Sequence, residues 1–227
     1  MTPICWLALI SLSGTPRALV IGLDGVSSSA MRQAQVPHLR SIGPVQFDVE
    51  TTKGWRGADT VSGPAWASVL CGLTPSMSGV TGNDVRRRPC QTFLDRVGGL
   101  AFAAVPCVRD LSGSEAFVIP AVRRPYADGL DASVVDAAIK AVHGKAPAVF
   151  VHLEAVDEAG HNDGWGSPEY LSALEVADAQ VGRLLAAARS TGDDWLVIAT
   201  SDHGGRGQSH NRGWDDPDVS RLSLIHI

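Results

Sequence analysis

The chain has 227 residues, 44% hydrophobic and 19% charged, with a formal net charge of −5. This balance describes a single globular domain with a sizeable core and argues against a disordered chain. The acidic surplus speaks against general affinity for a nucleic-acid backbone, and no apolar run approaches the roughly 20 residues of a transmembrane segment.

Ile4 to Leu12 is uncharged, mostly apolar and of secretory length, with small Ser13 and Gly14 behind it. Residues 1–14 are therefore read as a signal peptide that sends the chain to the periplasm or outside the cell, although nothing basic precedes the run. A ragged start to the first strand, in a cytoplasmic protein, is the rival. With Cys5 in that leader, Cys71, Cys90 and Cys107 remain, an odd set that cannot all pair internally. Export would permit a Cys90–Cys107 disulfide, and reduced core thiols are the equal alternative. The absence of C-x-x-C spacing removes a thiolate zinc site.

Arg17 to Leu23 is a short apolar strand ending in Asp24-Gly25. The pair could make a hairpin turn, but a loop and a helix start come next in place of a second strand, so Asp24 is expected beyond the strand's carboxyl end. Residues 45–52 alternate as a partly exposed strand does. Pro64 suits the first turn of a helix capped by Ser62 or Gly63, with Trp66, Val69 and Leu70 on its apolar face and Gly72 at its close. Ser62 then sits at the positive end of a helix dipole, either as a plain cap or as a nucleophile beside free N–H groups.

Residues 75–84 are rich in turn formers and read as a loop. A helix is expected over 89–97 with Phe93, Leu94 and Val97 inward, and an amphipathic one over 131–142 before Gly144. The apolar run 148–153 is the next buried strand. Past it, Asp157 and His161 stand four residues apart, close enough on one helical turn to grip one ion, though a lone pair of this kind is usually a surface feature. Ser167-Pro168 opens a long helix with Leu171, Leu174, Val181, Leu184, Leu185 and Ala188 as its buried stripe. The final strand, 196–199, leads to Asp202-His203, and a glycine-rich loop carries the chain on to His210.

Strands separated by long helices describe an α/β fold with a doubly wound, mostly parallel sheet. Residues 15–221 are expected to form one domain. Leu222 to Ile227 reads as a non-native tail on a truncated fragment, so His226 is not taken as a ligand. Three strands each deliver an acid just past their carboxyl ends, Asp24, Asp157 and Asp202, where open α/β sheets place their chemistry.

Val-Ile-Gly-Leu-Asp24-Gly, Ser62-Gly-Pro-Ala-Trp, Pro75 to Asn83, Asp157-Glu-Ala-Gly-His161 and Ser-Asp202-His203-Gly together resemble the alkaline phosphatase superfamily, in its nucleotide pyrophosphatase/phosphodiesterase branch. The resemblance spans residues 18 to about 210. It implies two divalent ions, most simply zinc, one held by Asp157, His161 and His210 and the other by Asp24, Asp202 and His203. It makes Ser62 the nucleophile and gives Asn83 a non-bridging phosphoryl oxygen. Asn211 follows His210 where relatives have glycine, threonine is frequent at the Ser62 position, and Met77-Ser78-Gly79 replaces a common Ser-His-Gly. The expected activity is hydrolysis of a small-molecule phosphate ester through a phosphoserine, since paired metals hold attacking and leaving oxygens in line. Arg206 or one of Arg86 to Arg88 could add a cation for a monoester. A sulfatase is the nearest rival, but Trp66 stands where its signature needs arginine; a non-catalytic metal-binding fragment is the other.

Overall fold

The computed structural model describes residues 16–50, 60–85, 88, 90–113, 116–117, 128–211 and 215–226; the expected leader, 1–14, and Arg86 and Arg87 lie outside them. Strand β1 (Pro16–Leu23) is buried from Leu19 to Leu23. Helix α1 (Ser28–Gln33) follows, capped by Ser27, whose hydroxyl accepts the Ala30 N–H; α2 (Pro37–Ile42) starts on its proline. Next come β2 (Val45–Glu50) and α3 (Ser62–Cys71), which ends at Gly72 with φ 67°, a left-handed turn that favours glycine.

The segment read as a loop holds one short helix, α4 (Pro75–Ser78). Helix α5 (Phe93–Val97) is shorter than the expected 89–97, because a capping box between Thr92 and Asp95 starts it late. Val97 is 52% exposed, since α5 ends before its last turn can face the core. Strand β3 (Leu100–Phe102), α6 (Pro106–Ser112) and β4 (Ala116–Phe117) lie between the helices expected over 89–97 and 131–142, where the sequence predicts no element. The C-terminal half follows the expected order: α7 (Asp128–His143), β5 (Ala148–Leu153), α8 (Ala155–Asp163), α9 (Pro168–Thr191) and β6 (Asp194–Ser201). Helix α10 (Pro217–Ser220) and β7 (Arg221–His226) complete it, so most of the stretch read as a foreign tail is in a strand.

The seven strands run in the order β2-β7-β6-β1-β5-β3-β4. Neighbours from β6 to β4 are parallel, and β7 is antiparallel to both β6 and β2. The expected mostly parallel α/β sheet is thus present. One core lies between the sheet and α1, α2, α7 and α9, and a second lies between its other face and α3, α5 and α6. Parallel register pairs Gly22 with His152 on one side and Thr200 on the other, so β1, β5 and β6 release their following residues at one edge. Cys90 pairs with Cys71 and not with Cys107, which is free and buried between α6 and the sheet; the covalent tie therefore joins the end of α3 to the segment beyond Asn83.

Candidate active site

The six expected metal ligands and Ser62 reach that edge. Asp24 follows β1, Asp202 and His203 follow β6, Asp157 and His161 lie on successive turns of α8, and the loop after β6 returns His210. Ser62 is the first residue of α3; the cap is Val61, which offers no side-chain hydrogen bond. Ser62 Oγ lies 3.4 Å from Asp24 Oδ1 and 3.5 Å from His203 Nε2. His203 Nε2 is 3.3 Å from Asp202 Oδ2, and His161 Nε2 is 3.0 Å from His210 Nε2 and 3.4 Å from Asp157 Oδ2.

Among the described residues, two groups have ligand atoms close enough to share an ion: Asp157, His161 and His210, and Asp24, Asp157 and His203. Asp157 thus belongs to both, whereas the sequence placed Asp202 in the second. Asp202 sits beside that group, with Oδ1 accepting the Gly25 N–H at 3.1 Å.

The histidine rings are oriented by backbone carbonyls. Nδ1 of His161 faces Gln208 O at 3.1 Å, Nδ1 of His203 faces Gly204 O at 3.0 Å, and Nδ1 of His210 faces Thr60 O. A carbonyl only accepts, so each Nδ1 stands where it can donate to one, and each ring turns its Nε2 into the site. Burial pushes His203 down to about 4, so it is neutral at pH 7. The Nε2 atoms of His161 and His210 lie 3.0 Å apart, close enough to share one cation or one proton.

The carboxylates point the same way. Asp157 Oδ1 and Asp202 Oδ2 are buried without a hydrogen-bond partner. Burial, then the charge on Asp24, pushes both well above the usual carboxylate range. Burial also acts upward on Asp24, but the His152 hydrogen bond and charge, with His203 and Trp66, hold it well below. Buried acids facing imidazoles are a donor set that fits divalent metal ions.

Asn83 does not simply face an open helix end. Its Oδ1 accepts the Gly63 N–H at 2.7 Å, which ties its loop to α3 and uses one of the N–H groups expected to be free. Among the cations considered for a monoester, Arg206 pairs with Asp216 and Arg88 with Asp95.

Three neighbours were not legible as site residues. Trp66 Nε1 and His152 Nε2 both bond Asp24 Oδ2, at 3.0 and 2.8 Å. Trp165 packs edge-on against His161 and His210, with ring centroids 5.0 and 5.7 Å away, and its indole N–H bonds Gly25 O. A Cβ on Gly160 or Gly205 would collide with that indole.

The family model of type I phosphodiesterases and nucleotide pyrophosphatases matches residues 104–219. The chain belongs to this family. Its fold resembles that of murine ectonucleotide pyrophosphatase/phosphodiesterase 5, at TM-score 0.64 and 19% identity over 84% of this chain and 57% of that one. It also resembles a 2-O GAG sulfatase, at TM-score 0.65 and 15% identity over 93% of this chain and 64% of the sulfatase. Alkaline phosphatase PhoD of Zymomonas mobilis is 36% identical over 69 residues, 30% of this chain and 12% of that protein. The chain thus spans under two thirds of the length of these relatives. The described residues of this family member thus include two groups that could hold metal ions.

Proposed function

We propose that this protein hydrolyses small-molecule phosphate esters with Ser62 as nucleophile and two divalent cations, zinc foremost. Asp157, His161 and His210 would hold one, and Asp24, Asp202 and His203 the other. The observation that carries this reading is the inward convergence of three histidine Nε2 atoms, each ring with its Nδ1 against a backbone carbonyl, on two buried carboxylate oxygens that have no hydrogen-bond partner.

When bound, the cations supply Lewis-acid charge at the attacking and leaving oxygens. The remaining work belongs to the chain. Ser62 Oγ attacks phosphorus and forms the P–O bond as the ester oxygen leaves; water then cleaves the phosphoserine and restores the hydroxyl. Asp24 and His203, within 3.5 Å of Oγ, fix its direction. Asn83, its Oδ1 committed to Gly63, keeps Nδ2 to donate to a non-bridging oxygen as charge develops. The murine relative was solved in an inactive form with AMP, which favours nucleotide-type diesters as the first substrates to try.

Trp66 weighs against a sulfatase: its indole is fully buried and bonded to Asp24 where that chemistry needs a guanidinium. The Cys71–Cys90 disulfide supports export to an oxidising compartment. Among the described residues, no helix is long and apolar enough to cross a membrane.

The test compares zinc-loaded protein with Ser62→Ala on aryl phosphate, diaryl phosphate and aryl sulfate. Turnover of a phosphate, lost by roughly 10³-fold or more in Ser62→Ala, is expected. Turnover of the sulfate alone overturns the phosphoesterase. Full metal uptake with no turnover of any ester leaves a metal-binding fragment.

A further inference from the structure

Asp24 divides its two oxygens between two kinds of neighbour. Oδ1 faces Ser62 and His203, at 3.4 and 3.5 Å. Oδ2 accepts from two nitrogens at once, His152 Nε2 at 2.8 Å and Trp66 Nε1 at 3.0 Å. The two rings brace each other edge-to-face at 5.0 Å, and the Trp66 indole fills the space that a Cβ on Gly22 would need. His152 sits across from that glycine in the parallel register, in the middle of the sheet and with its side chain wholly buried.

An imidazole is a poor filler for such a place. Its Nδ1 is buried without a hydrogen-bond partner, a cost that phenylalanine or leucine would not carry. What the ring supplies in return is one donor aimed at one oxygen. A carboxylate oxygen already holding two donors has little lone-pair density left for a cation.

We propose that His152 and Trp66 are positioning residues that reserve Asp24 Oδ2, making Asp24 a one-oxygen ligand whose Oδ1 serves the cation beside Ser62. The side-chain partners of Ser62 Oγ are Asp24 and His203, so the two donors act on it through Asp24. The inference rests on the two-cation reading above, and it predicts an asymmetric effect. Loss of either donor lets the carboxylate swing away from its fixed orientation, which weakens the cation at Asp24 and spares the one at His161 and His210.

The experiment measures zinc stoichiometry and affinity by competition with a chromophoric chelator, together with the visible spectrum of the cobalt(II)-substituted protein. It uses wild type, His152→Phe, His152→Gln and Trp66→Phe, with circular dichroism to establish folding. Wild type is expected to bind two ions. His152→Phe should keep one at wild-type affinity and bind the other about 10–100-fold more weakly, with an altered cobalt spectrum. His152→Gln, whose amide N–H reaches where Nε2 does, should recover most of that loss.

If His152→Phe does not fold, Trp66→Phe removes the other donor and carries the same expectation. Folded variants that bind both ions like wild type, with unchanged cobalt spectra, overturn the positioning role while leaving the two-cation site standing. A wild type that binds no ion overturns both readings.

Discussion

Between Gly22 and the indole of Trp66 there is no room for a methyl group: a Cβ there would lie 2.4 Å from the ring. Gly22→Ala should therefore push Trp66 off Asp24, lowering stability in urea by about 1–3 kcal/mol, as overpacked cores do. Glu154, at the N-cap of α8, is pushed up to about 7 from an ordinary 4.5, by burial first and then by Asp24 and neighbouring acids, against the pull of His152. The native state thus holds this proton more tightly than the unfolded chain does. Its contribution is complete below about 4.5 and is lost as pH rises through about 7. Glu154→Gln should match wild type near pH 4.5 and melt at a higher temperature by pH 8, measured in chelator. Cys107 is pushed up to about 12 by burial, then by Asp24 and Asp202, so the folded protein should resist alkylation of this thiol at pH 8.

Helix α3 meets the Asn83 loop at two fastenings, the Gly63–Asn83 hydrogen bond near its start and the Cys71–Cys90 disulfide at its end. A crosslink closing a 19-residue separation contributes about 3 kcal/mol through the entropy of the unfolded chain. Reduction should lower the melting temperature and lower kcat more than it raises KM, because Asn83, which serves charge developing in the transition state, loses one of its two ties to the helix of Ser62. The same geometry decides which elements were legible. Asp24, Asp157 and Asp202 could be read because each stands just past an apolar run, and in a parallel sheet such runs end together. His152 could not be read, since inside a wholly buried strand a histidine resembles any core residue until the register sets it opposite Gly22. Trp165 was equally silent. Its role comes from Gly160 and Gly205, far apart in sequence, leaving one slot for its ring. The disulfide could not be chosen from three thiols without knowing that α3 ends beside Cys90.

Across the whole molecule the sheet separates chemistry from support. At the edge opposite the acids, buried Arg17 donates to the carbonyls of Ala141, Val142 and Ala146, pairs with Asp193 at 2.9 Å and lies over the Trp195 ring. It satisfies the carboxyl end of α7, where backbone acceptors would otherwise be left open. Arg17→Met should cost about 3–5 kcal/mol in denaturant while kcat per folded molecule stays unchanged. The doubly wound plan was legible because apolar runs alternate with helical periods; the β3–α6–β4 stretch was not, its strands being only three and two residues long. Among the described residues, Trp66 and Trp165 border the ligand groups, one hydrogen-bonded to Asp24 and the other edge-on against two imidazoles. The protein consequently carries a built-in optical gauge: loading with a paramagnetic ion should dim indole emission in steps, reporting occupancy without a dye or a turnover assay.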